Sequence, residues 1–144
     1  MAKTPELDTA YRATTYRVFM PDGFLDLRID RASPHLADWL AAGDFAAFAL
    51  MTACNPGSRP ATPADNARRQ AELECDLLDA GYRPFGAEHL ADAGDWPVEP
   101  GCFVPGLSAD DALALGADYG QNAVVCGGAD GVPRLLWIEE QDDV

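Results

Sequence analysis

Residues Phe45 to Thr52, FAAFALMT, form an apolar run with no polar alternation. A strand with one face in water alternates, whereas a strand without alternation is covered on both faces. The run therefore predicts a central strand with a layer above it and a layer below it. It stops abruptly at TACNPGSR, Thr52 to Arg59, and a helix-like segment opens near Pro63. A buried strand that gives way to Asn, Pro, Gly, Ser and Arg ahead of a helix is a common construction for a loop that contacts a ligand or an anion. The pattern locates a candidate site and names no reaction.

The remaining segments fit around that strand. Pro5 to Tyr11 reads as a short helical or extended arm. Thr15 to Met20 and Phe24 to Ile29 flank Pro21-Asp22-Gly23 and predict a hairpin with Leu25, Leu27 and Ile29 facing inward. Ser33 before Pro34 is an N-cap signal, and Leu36, Trp39 and Leu40 keep helical spacing until Gly43. The longest helix is expected over Pro63 to Ala80, with Ala67, Ala71, Leu73, Leu77 and Leu78 on its buried side, Asn66, Arg69, Glu72, Asp76 and Asp79 opposite, and Gly81 as its stop. Tyr82 to Leu90 and Cys102 to Val104 give weaker strand signals. Ser108 caps a third helix that Gly120 closes, with Asp110 and Asp111 in its first turn, where acids meet the helix dipole favourably. Ala123 to Cys126 and Leu135 to Ile138 form a last hairpin. The order is ββαβαββαββ: an α+β fold with a mixed or mainly antiparallel sheet and about three helices. One domain is expected over residues 1–144, with its core at about 16–138, a short N-terminal arm and an acidic C-terminal tail, EEQDDV.

Charge narrows the partners. The 24 acidic residues against 10 basic ones leave a formal charge of -14, which disfavours nucleic acid, because phosphate-backbone binding relies on Lys and Arg. No stretch approaches the roughly 18 apolar residues of a membrane span, and the N-terminus lacks a signal-like apolar segment. Cys54, Cys75, Cys102 and Cys126 stand far apart with no CxxC pair and no His-rich neighbourhood, so no metal site is expected. A cytoplasmic protein with reduced, mostly buried thiols follows.

Three clusters carry polar chemistry. In the first, Gly57 takes positive φ in a Pro56-Gly57 turn, turning backbone N–H groups into a pocket, while Asn55, Ser58 and Arg59 add donors. Arg59 is the side chain suited to a two-pronged grip on a carboxylate or phosphate; its bland alternative is a surface residue paired with an acid. Asn66, near the start of the long helix, either turns its amide back to this loop or lies on the surface. The second cluster, Gln121-Asn122, sits between Gly120 and the apolar AVVC, either as ligand contacts or as pins for the backbone. The third is WPVEPGCF, in which Glu99 lies between two prolines beside Trp96 and is a candidate general base, or a residue of a rigid surface loop. His35 and His89 have no neighbouring nucleophile motif. Cys54 precedes a helix that would lower its pKa, but thiols at strand ends are more often core residues.

Taken together, TACNPGSR at 52–59, WPVEPGCFVPGLS at 96–108 and YGQNAVV at 119–125 resemble one small bacterial family, the domain of unknown function DUF3293. The resemblance spans about Tyr16 to Ile138, in order and spacing as well as content. It implies a stand-alone cytoplasmic domain with no assigned activity, and its pattern falls on Asn55, Pro56, Arg59, Asn66, Glu99, Gln121 and Asn122. Two functions are expected from these readings. One is binding of a small anionic molecule, a nucleotide or carboxylate metabolite, by Asn55, Gly57, Ser58, Arg59, Asn66, Gln121 and Asn122, with Glu99 as the acid or base if there is catalysis. The other is an acidic interaction or regulatory module that meets a basic protein. The sequence leaves enzyme activity and any cofactor open.

Overall fold

Each helix starts where a hydroxyl closes its first turn. A computed structural model describes residues 4–92 and 96–138. Thr4 accepts from the Leu7 N–H at 3.1 Å and opens α1 (Pro5–Arg12), and Ser33 does the same for Leu36 at 3.2 Å in α2 (Pro34–Ala42). Thr62 and Ser108 cap α3 (Pro63–Asp79) and α4 (Ala109–Asp118). Three of these helices carry Pro in the first turn, where its missing N–H costs nothing. The N-terminal arm is thus a helix, which brings the number of α-helices among the described residues to four. The acidic tail at 139–144 lies outside the described residues.

Seven strands follow the expected order: β1 (Thr14–Met20), β2 (Gly23–Leu27), β3 (Ala47–Met51), β4 (Phe85–Ala91), β5 (Glu99–Pro105), β6 (Ala123–Gly128) and β7 (Arg134–Trp137). They form one sheet in the order β2-β1-β4-β5-β3-β6-β7, and every pairing is antiparallel. The fold is α+β. β3 lies inside the sheet, and its alternate residues feed two cores. Ala49 and Met51 pack with Leu73, Leu77 and Ala112 of α3 and α4, while Phe48 and Leu50 pack with Leu36 and Leu40 of α2. Two covered faces are why the run shows no alternation.

One face of α3 departs from the sequence reading. Ala67, Ala71 and Leu78 are exposed, and the inward stripe is Gln70, Leu73 and Leu77, with Arg69 half-buried beside it. The physical reason lies in what the first half of the helix covers: it faces the polar loop after β3, so its inward positions hold hydrogen-bonding side chains and apolar ones begin only at Leu73.

Candidate functional site: a cavity at the end of the central strand

Antiparallel pairing places Tyr16 of β1 opposite His89 of β4, and His89 opposite Glu99 of β5. Directly opposed residues share a face, so three strands deliver a phenol, an imidazole and a carboxyl in one line. Tyr16 and His89 meet edge-on with ring centroids 4.8 Å apart, and His89 Nδ1 lies 3.8 Å from Glu99 Oε1. Gly101 makes room for this line, since a Cβ there would fall 2.5 Å from His89 Nε2. Burial depresses the His89 pKa to about 4, so the ring is neutral at pH 7. Its Nε2 is buried without a hydrogen-bond partner. A proton on Nε2 would be a stranded donor, which favours the tautomer whose proton sits on Nδ1 and faces the carboxyl.

The β3–α3 loop holds Glu99 from the other side. Asn55 is in the left-handed region at φ 48° and is buried, and its Nδ2 donates to Glu99 Oε2 at 2.9 Å. Asn66 fixes Asn55 from α3: its Oδ1 accepts the Asn55 backbone N–H at 2.8 Å, and its Nδ2 donates to Asn55 Oδ1 at 2.9 Å. Burial raises the Glu99 pKa, against the opposing pull of hydrogen bonds from Asn55, Thr52 and Trp96. Gln121 Nε2 donates to the Cys54 carbonyl at 3.0 Å, and Asn122 Nδ2 donates to Ser58 Oγ at 2.7 Å, so the second polar cluster is tied to the first.

These groups border a cavity of about 360 Å³. Asn55, Ser58, His89, Glu99 and Gln121 make its polar end. Leu50, Ala123 and Val125 of the sheet, Leu7, Ala10 and Tyr11 of α1, and Tyr16 and Trp96 contribute to the rest of its wall. α1 lies across the opening. Tyr11 stacks edge-on against Trp137 at 5.5 Å, Arg12 pairs with Asp30, and Arg28 Nη2 donates to the Arg12 carbonyl at 3.1 Å.

The backbone donors of the loop are engaged within the protein. Gly57 does take positive φ, 68°, but its N–H donates to the Gly120 carbonyl at 2.8 Å. The N–H groups of Ala53, Cys54, Asn55, Ser58 and Arg59 likewise donate to Gln70, Thr52, Asn66, Asn55 and Pro56. An anion cradle needs such donors pointing outward, and here each has an internal acceptor. Arg59 is exposed and is not among the cavity-lining residues, nor are Gly57, Asn66 and Asn122. The guanidinium that organises the loop is Arg69, which donates to the Ala53 carbonyl at 2.8 Å and to the Tyr119 carbonyl. Cys54 is buried and its thiol pKa is pushed up by burial, so it lies on the structural side of the two readings. The contribution of His89 was hidden in the sequence, because only strand register sets it beside Glu99.

Among the described residues, no cluster of three His, Cys, Asp or Glu side chains is arranged to hold a metal ion, and no helix is long and apolar enough to cross a membrane. Fold and site together define an α+β protein whose antiparallel sheet floors a mostly apolar cavity with a buried carboxyl at one end. The chain belongs to DUF3293, a family described as proteins of unknown function, whose model matches residues 51–124, a little over half of the chain. That span includes the loop, Asn66, Glu99 and the 121–122 pair, whereas α1 and β1 lie outside it. No curated protein and no solved structure matches the chain significantly.

Proposed function

We propose that this protein binds a small organic molecule in the cavity under α1, with Glu99 as the group that exchanges a proton with it. The observation that carries the reading is convergence: polar side chains from the β3–α3 loop, β4, β5 and the connection between α4 and β6 meet at one end of a hollow whose other walls are mostly apolar. Binding sites for metabolites have this composition and range upward from about 300 Å³, so a volume of 360 Å³ fits one small molecule. A carboxyl whose pKa burial raises, beside a neutral imidazole, is suited to exchange a proton with a bound molecule. The expected anionic ligand is not retained, because the loop N–H groups are occupied and Arg59 faces outward. We also infer a reducing compartment such as the cytoplasm, a reading that four free cysteines support.

Ala10 is exposed on α1 and also borders the cavity, so Ala10→Trp fills the hollow without altering the core. Ligand-observed NMR against a panel of neutral, cationic and anionic aromatic fragments should give hits that compete for one site, vanish in Ala10→Trp and persist in Arg59→Ala. Hits that survive Ala10→Trp, or their complete absence in the wild type, would count against the cavity as the site.

A further inference from the structure

We propose that the ligand is an organic amine, bound as its ammonium ion by the Glu99 carboxylate and by the aromatic walls Tyr11, Tyr16 and Trp96. The inference rests on the small-molecule reading of the same cavity and adds the charge of what enters it. Glu99 is the one ionisable carboxyl among the described lining residues, and none of them is Lys or Arg.

Hydrogen-bonding capacity points the same way. Several donors around the polar end already serve the protein: Asn55 Nδ2 reaches Glu99, Gln121 Nε2 reaches the Cys54 carbonyl, and the loop N–H groups are satisfied internally. The amide oxygen of Gln121, whose amide nitrogen alone is engaged, is left to a guest as an acceptor beside the Glu99 carboxyl, whose own oxygens already receive Asn55, Thr52 and Trp96. An ammonium brings three donors and a positive charge, which suits a carboxylate with an amide oxygen beside it. Rings of Tyr and Trp attract cations through their negative faces, more strongly where water is excluded. Around the whole chain, a formal charge of -14 raises the local concentration of cations and repels anions.

Binding should then couple to pH. The titratable groups around Glu99 are Tyr11 on α1, Tyr16 on β1, Cys54 in the loop and His89 on β4. Burial pushes both phenols and the thiol upward and holds the imidazole neutral above about 4. With those groups uncharged, Glu99, its pKa raised by burial, is the member of this set whose charge changes as the solution is taken upward from acid. An ammonium favours the carboxylate, so affinity should climb as pH rises through the Glu99 pKa.

The test is isothermal titration of the full chain with tryptamine, tryptophol and indole-3-acetate, one scaffold carrying a cation, a neutral group or an anion. Tryptamine should bind tightest. Glu99→Gln still accepts from Asn55 but carries no charge, and it should weaken tryptamine about ten- to hundredfold while leaving tryptophol nearly unchanged. Ala10→Trp should abolish binding of both. If tryptophol or indole-3-acetate binds as well as tryptamine, or Glu99→Gln weakens all probes alike, the amine is overturned while the cavity stands. Binding that ignores Ala10→Trp, or no binding of any probe at millimolar concentration, overturns both.

Discussion

The two faces of the sheet are covered differently. Under α3 and α4, small side chains such as Ala49, Ala53, Cys102 and Ala112 let the helices settle close, and Leu73, Leu77 and Met51 fill what remains. The opposite face is as well filled beneath α2, where Phe48, Phe103 and Trp39 interlock with ring centroids under 6 Å apart. Beneath α1 the filling stops and the cavity begins. α1 has only eight residues and none of them is buried, and it meets the core through the partly buried Tyr11. Elements with few buried contacts open most easily. A site placed under such an element gains an apolar wall and keeps a way in.

Substitutions on the two sides of that boundary should separate them. Phe103→Ala, within the aromatic cluster at zero exposure, should cost about 3–5 kcal/mol in urea unfolding. An effect below about 1 kcal/mol would mean that this face is loosely packed throughout. Asn66→Ala strands the Asn55 N–H and removes one of the two donors to Asn55 Oδ1, which keeps the Ala61 N–H, and should cost about 2 kcal/mol. It should also disturb ligand binding, since Asn55 is what orients Glu99. Tyr11→Ala removes the edge contact with Trp137 and should cost only about 1–2 kcal/mol. Its larger effect should appear in amide exchange of α1; a loss equal to that of Phe103→Ala would make α1 part of the core.

The smallest effect is read from its pH dependence. Because the folded-state pKa of Glu99 is raised from 4.5, the folded protein holds this proton more tightly than the unfolded chain. Stability is then fully present below pH 4.5 and falls as pH rises through the folded pKa. Glu99→Gln removes that penalty. Its melting temperature should match the wild type in acid and exceed it at neutral pH, and an equal offset at both would place the effect in packing instead.

Much of the architecture was legible locally. Ser33-Pro34 and Ser108 name the starts of two helices, Pro21-Asp22-Gly23 names a hairpin, and the uninterrupted apolar run at 45–52 names a strand with two covered faces. Each is a property of a few adjacent residues and of the backbone angles they favour. Thr4-Pro5 carried the same helix-start chemistry as Thr62-Pro63, but eight residues make a marginal helix by themselves, and only docking over the sheet decides that α1 forms.

The site divides in the same way. The loop, Glu99, Asn66 and the 121–122 pair stood out because polar residues beside apolar runs are conspicuous in any sequence. Which of them point inward was not. Arg59 and Arg69 are alike in composition, yet one faces water and the other ties two carbonyls together, because the loop turns at Asn55, Gly57 and Ser58 through left-handed backbone angles that redirect every later side chain. The line from Tyr16 through His89 to Glu99 depends on strand register, a relation between segments distant in the chain. Sequence fixes what each segment prefers; contacts between segments are settled by which faces must be buried together, and here that requirement placed a carboxyl, an imidazole and a hollow in one spot.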